Sequence, residues 1–291
     1  MAVRQYWLHL LIVGWCIGMI GCSTTETATG PDPNAPDAGS VNPAARGFDF
    51  EGSDAQAIEV ADRVMRAMGG RSGWDRTNIL AWTFFAGRRH IWNKTTGDYR
   101  IDWTASEEDG GASYVLVSNT NRQDKGQVWK DGVALEDRDE ISTWLDQGYK
   151  WWVNDSYWLI MPYKLKDTGA TLTYKGETTH VSEEPTEFGV MPRQTDADIL
   201  QLTFAGVGVT PDNKYDVYVD RPTGLVYQWS YYANVADEEP AFTSKWRLWE
   251  RRGYILLSGD RGEGRQLTNI AVYDSLPAEA FAEPEWKEAG L

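Results

Sequence analysis

The side chains able to do chemistry are few and scattered. Beyond the first twenty-one residues the chain has two histidines, His90 and His180, and neither has another metal-ligand type at close spacing. No His-Glu-x-x-His run and no cysteine pair occur, so a zinc site has no support in the sequence. The strained Gly-x-Ser-x-Gly turn that exposes a hydrolase nucleophile is also missing. Gly259 to Gly264 (GDRGEG) is glycine-rich but lacks the Lys-Ser/Thr of a phosphate loop, and it reads as a polar hairpin tip. Asp137 and Asp139, or Asp196 and Asp198, could offer oxygens to calcium, yet neither pair continues into a calcium loop's further ligands and glycine. Capping and solvated turns account for them. A glycosidase would need two carboxylates facing across a cleft, and 43 acidic residues single out no pair. The expectation is a non-enzymatic protein with no cofactor and no metal.

The one reactive group with a legible context is a thiol. Cys16 and Cys22 are the only cysteines. Arg4 precedes an apolar run from Leu8 to Gly21, which is short of the roughly 20 residues a bilayer-crossing helix needs. A charged start, a short apolar middle and a small residue before a cut site describe an export signal over 1–21. Met19-Ile20-Gly21-Cys22 resembles the lipobox of bacterial lipoproteins, with Met19 where Leu is usual. That resemblance implies cleavage before Cys22 and attachment of lipid to it. A signal-anchor helix with an incidental cysteine is the alternative. One acyl chain binds membranes marginally, at about 0.8 kcal/mol per buried CH₂, so the several palmitate-type chains of such a modification would hold the protein permanently. Ser23 then points, by the sorting rule of the same family, to the outer membrane facing the periplasm.

Residues 22–47 carry Pro31, Pro33, Pro36 and Pro43 and no aromatic side chain, which predicts a disordered tether. Twenty-five flexible residues span about 28 Å. From residue 48 to 291 the length suits a single domain. The net charge of −15 argues against nucleic acid and against charge-driven docking to anionic lipid; solubility is its simpler meaning.

The elements follow from periodicity. Asp54 precedes Ala57, Ile58, Ala61, Val64, Met65 and Met68 at helical spacing, with Gly69-Gly70 as a left-handed stop. Alternation then takes over: Leu80, Trp82 and Phe84; Tyr99, Ile101 and Trp103 with Arg100 and Asp102 opposite; Tyr215, Val217 and Val219; Leu225, Tyr227, Trp229 and Tyr231; Trp246 and Leu248. Asp131-Gly132, Arg221-Pro222-Thr223-Gly224 and Arg252-Gly253 read as hairpin turns. The fold class is mainly β (α+β): about ten antiparallel strands in a curved sheet or half-open barrel, with an N-terminal helix.

Alternation fails between 136 and 162. Ile141, Trp144, Leu145 and Gly148 predict one helix capped by Asp137 or Asp139, and Asn154 or Ser156 could start a second short one before Pro162. This insert is too aromatic to be exposed on both sides. Burying each tryptophan is worth about 4–6 kcal/mol, so most serve the core. Trp144, Trp151, Trp152, Tyr157, Trp158 and Met161 are the candidates to face a ligand.

In this arrangement the sequence resembles the lipoprotein-carrier (LolA/LolB-like) fold. The points of likeness are a helix before the meander, a helical insert within it, the strand-turn-strand from Tyr215 to Tyr227, and the closing Leu276-Pro277, Phe281 and Pro284. The Trp151-to-Trp158 run is also similar to lipoproteins carrying a domain of unknown function. The resemblance implies a half-open barrel whose apolar concave face lies under a helical lid at 136–162. It implies as well an apolar or amphipathic ligand, a lipid or a lipoprotein. An envelope interaction or sensor protein with a packed interior, and a carbohydrate-binding or hydrolysing protein, are the alternatives.

Overall fold

The computed structural model describes residues 41–85, 87–186, 189–205 and 212–288. The export segment, Cys22 and most of the tether lie outside the described residues. The tether's last part does not: Asn42 and Ala44 are buried and the Ala45 amide donates to the Lys166 carbonyl. Ordered packing therefore begins before Phe48.

Helix α1 (Ala55–Ala67) follows Asp54 and buries Ala57, Val60, Ala61, Val64 and Met65. Gly69 then takes φ +113, with the Tyr254 carbonyl where a Cβ would sit. A second helix, α2 (Gly70–Arg76), follows at once. The sequence reading missed it because the glycine pair reads as a stop.

The strands number more than ten and form three antiparallel groups. β1 (Ile79–Phe84), β2 (Arg88–Asn93), β3 (Asp98–Thr104), β4 (Ser113–Asn119), β5 (Arg122–Lys130) and β6 (Val133–Ala134) run as a meander, joined at the β1 edge by β14 (Leu267–Tyr273). β7 (Ala170–Thr186), β8 (Gly189–Phe204), β9 (Lys214–Asp220), β10 (Val226–Tyr232) and β11 (Phe242–Lys245) form a second meander. β12 (Arg247–Arg252) and β13 (Ile255–Asp260) pair as a ribbon. The curved sheets do not close into a barrel. Asp131 and Gly132, both at positive φ, turn β5 into β6 as their types require.

The insert is one helix and not two. α3 (Arg138–Ile160) runs unbroken through Asn154 and Ser156 into a 3₁₀ turn, Met161–Lys164, with Pro162 at its start. Asp155 and Ser156 are buried, so tertiary contacts override the local capping tendency of Asn154 and Ser156. Two further expectations change. Leu248 does not share a buried face with Trp246: it takes φ +53 and is 67% exposed. The GDRGEG run does connect β13 to β14, but Arg261 turns inward, fully buried, with its guanidinium 3.7 Å from the Trp246 ring centre. That guanidinium donates to the Trp158 carbonyl in the last turn of α3, where the helix dipole favours a cation.

Candidate functional site: the aromatic layer of α3

Asp137 starts α3 by accepting from the Asp139 and Glu140 amides, each at 2.9 Å. The helix then lies across both meanders, and its six singled-out residues are spread over the two. Trp144 and Trp151 meet Trp103 of β3 at 5.2 and 5.1 Å between ring centres, and Trp103 stacks on Tyr114 of β4 at 5.0 Å. Trp152 sits against Trp92 at 5.2 Å and Tyr99 at 6.1 Å. Tyr157 meets the second meander at Tyr215, 5.4 Å away, while Trp158 bridges the two: it is 5.0 Å from Trp229 and 5.5 Å from Phe242, and 6.4 Å from Phe84 of β1 and 5.2 Å from Phe85. Met161 is fully buried in the same cluster.

The six therefore do not line one trough. Ring-to-ring contacts occupy the interface between α3 and both meanders. Trp103, Trp144 and Trp151 are half-buried, and they form a ridge that solvent reaches. The Arg88 guanidinium lies 4.8 Å over Trp151, and the Lys130 ammonium 5.7 Å over Tyr114.

Beneath the ridge is a buried ionic cluster that sequence reasoning missed. Asp155, fully buried on α3, receives Arg88 Nε at 2.7 Å and Nη2 at 3.0 Å, His90 Nε2 at 2.7 Å and Asn154 Nδ2 at 2.9 Å. Burial alone would raise the Asp155 carboxyl, but His90 and then Arg88 bring it below the usual carboxylate range. Burial lowers the His90 pKa against the opposing pull of Asp155. A neutral His90 then donates from Nε2, while Nδ1 is buried with no partner among the described residues. His90 also stacks on Trp82, 4.7 Å between centres. Both Asp155 oxygens are taken, and the cluster ties α3 to Arg88 and His90 of β2. Its only trace in the sequence was a carboxylate inside an aromatic run.

His180 likewise gains an acid from afar, Asp220 at 2.9 Å, and stacks on Tyr227. Asp198 holds Arg63, Arg221 and Tyr174, tying α1 to the second meander. No group of three or more His, Cys, Asp or Glu able to hold a metal occurs among the described residues. A concavity of about 340 Å³ opens between β4, β5 and Phe281, and one of about 10 Å³ lies beside Met65 and Tyr163. Neither is lined by residues of α3.

No family model matches the chain, and no curated protein does. Among solved structures, a DUF1329 family protein from Desulfovibrio piger aligns at a TM-score of 0.34 with 11% identity, over 77% of this chain and 96% of its own. No helix among the described residues is long and apolar enough to cross a membrane.

Proposed function

We propose that this chain is an envelope lipoprotein with a LolA/LolB-like fold, tethered through lipid on Cys22 and facing the periplasm from the outer membrane. Its module binds an apolar or amphipathic ligand, a lipid or a lipoprotein, at the aromatic face of α3. The observation that carries the reading is the ridge of Trp144 and Trp151 of α3 with Trp103 of β3, three half-buried indoles in mutual ring contact. Flat apolar surface beneath the Arg88 and Lys130 cations suits a ligand with a greasy body and an anionic or polar head.

A second reading has its own support. The closure of α3 on both meanders favours an interaction protein whose interior admits nothing. Tryptophan fluorescence of the full chain bearing Cys22→Ser, titrated with a fatty acid and with an oligosaccharide, separates these. A saturable response to fatty acid that is lost in Trp144→Ala/Trp151→Ala supports the ridge. Silence with both ligands supports the packed reading, and a response to sugar alone would overturn both. Labelled palmitate incorporated by the wild type but not by Cys22→Ser tests the tether.

A further inference from the structure

The described residues begin at Val41, and the chain from Cys22 enters the fold beside α2. Val41 is 75% exposed, but the residues after it are held. Asn42 Nδ2 donates to Asp62 Oδ1 of α1 at 2.7 Å, and Arg71 Nη1 of α2 donates to the Pro43 carbonyl at 3.5 Å. The point of entry is therefore fixed to one end of the molecule. The β12–β13 turn belongs to the same end. Gly73 lets α2 close on it, since a Cβ there would lie 2.9 Å from the Tyr254 carbonyl. The Leu256 amide donates to the Met68 carbonyl just ahead of α2.

This end sets aromatic rings beside cations. Tyr254 is 41% exposed, with the Arg76 guanidinium 3.8 Å over its ring. Trp74 is half-buried and stacks on Tyr163, 4.5 Å between centres, with the Lys94 ammonium 4.9 Å from its ring centre. Rings with one wet edge, next to cations on long apolar stems, are the side chains that settle at the headgroup level of a bilayer.

The charge here runs against that of the chain. Arg66, Arg71, Arg76, Lys94, Arg251 and Arg252 meet three carboxylates, Asp75, Glu250 and Asp274. Asp75 is taken by Arg71, and Glu250 by Arg252. Asp62 is paired with Lys166. Arg66, Arg76 and Arg251 have no ion pair among the described residues. Asp98, beyond the β2–β3 turn, accepts from Thr96 and Asn119, and counting it still leaves the cations in excess. The molecule carries −15 in all, so an anionic surface repels its other faces and attracts this one. Such asymmetry orients the domain as well as drawing it in.

We propose that the face made by α2 and the β12–β13 turn docks on an anionic phospholipid bilayer. Tethering supplies the proximity. At coil dimensions the nineteen residues from Cys22 to Val41 span about 24 Å, which keeps the face at high effective concentration beside the lipid. That proximity rests on the anchoring at Cys22 proposed above; the rings and the charge do not. The ridge is a separate place, since Trp151 lies roughly 14 Å along α3 from Ile160 and Trp144 farther still.

The test is hydrogen exchange of the full chain on vesicles of phosphatidylcholine with phosphatidylglycerol, on phosphatidylcholine alone, and in detergent without vesicles. Amides of 70–76 and 251–256 should exchange about tenfold or more slowly on the anionic vesicles than on the neutral ones, and those of 199–202 equally on both. Arg76→Ala/Arg251→Ala should abolish the difference. Arg247→Ala/Arg265→Ala removes the same charge from the opposite end of the β12–β13 ribbon and should keep it. Matching urea midpoints show that both variants fold. Equal exchange on the two kinds of vesicle would overturn the docking, as would slowing that persists in Arg76→Ala/Arg251→Ala or falls on other strands. Slowing in detergent that grows with protein concentration would assign the face to a second copy of this chain and reject the bilayer. A chain that takes up palmitate at Cys22 and shows no slowing rejects the face and leaves the anchor. One that takes up none and is still slowed on anionic vesicles rejects the anchor and leaves the face.

Discussion

A single carboxylate carries much of the contact between α3 and the first sheet. Asp155 has three side-chain partners, and its removal leaves the Arg88 guanidinium without its acid and a buried imidazole without its acceptor. Breaking a buried pair costs several kcal/mol, and partial exposure of Arg88 places this one at the low end. Asp155→Asn should lower stability by about 3 kcal/mol, read from urea midpoints at neutral pH. The pH dependence follows from the same cluster. The His90 pKa is lowered in the folded chain, so below about 6.5 the unfolded chain takes up a proton that the folded chain refuses, and stability falls as pH falls. Asp155 has a depressed carboxyl, so its contribution persists to lower pH and is lost only as pH drops through the folded value. His90→Gln should therefore lose less stability than the wild type between about pH 7.5 and pH 5.5; an equal loss in the two would show that His90 is not the titrating group.

At the scale of elements, Gly148 decides how closely α3 lies on the sheet. A Cβ there would sit 2.5 Å from Leu116 Cδ1, and Leu116 is fully buried with nowhere to move. Gly148→Ala would improve helix propensity by about 1 kcal/mol in an exposed helix. Here the overlap should outweigh it and destabilise the fold by about 1–3 kcal/mol, measured by chemical denaturation. Asp137→Ala should cost about 1 kcal/mol through the lost cap.

These two residues also show what the sequence could reveal. The cap, the helical spacing up to Gly148, the Asp131-Gly132 turn and the first helix are local signals, and each lies where its chemistry predicts. The continuity of α3 was hidden because Asn154 and Ser156 read locally as a new start, while their actual setting depends on strands far away in the chain. Asp155 and His90 lie 65 residues apart, and no spacing rule pairs them.

At the scale of the molecule, the two meanders differ in how firmly they are held. β8 pairs with β9 only from Ala197 to Leu202, whereas β7 and β8 continue together to Thr186↔Gly189. Among the described residues that outer stretch is a two-stranded ribbon with no third strand beside it. Hydrogen exchange should be faster at 179–182 and 192–195 than at 199–202, where a strand lies on either side. Uniform protection along the hairpin would mean that something else supports the ribbon in solution.

The pairing of β14 with β1 bears on how the polypeptide is made. The opening strand of the first sheet waits for β14, the last strand among the described residues, so a nascent chain carries β1 with a bare edge until Leu267–Tyr273 has been made. Such edges recruit other strands, and contacts this distant in sequence form slowly. A premature stop ahead of Leu267 would leave that edge open permanently and yield an aggregate, although the segments before the stop would be intact.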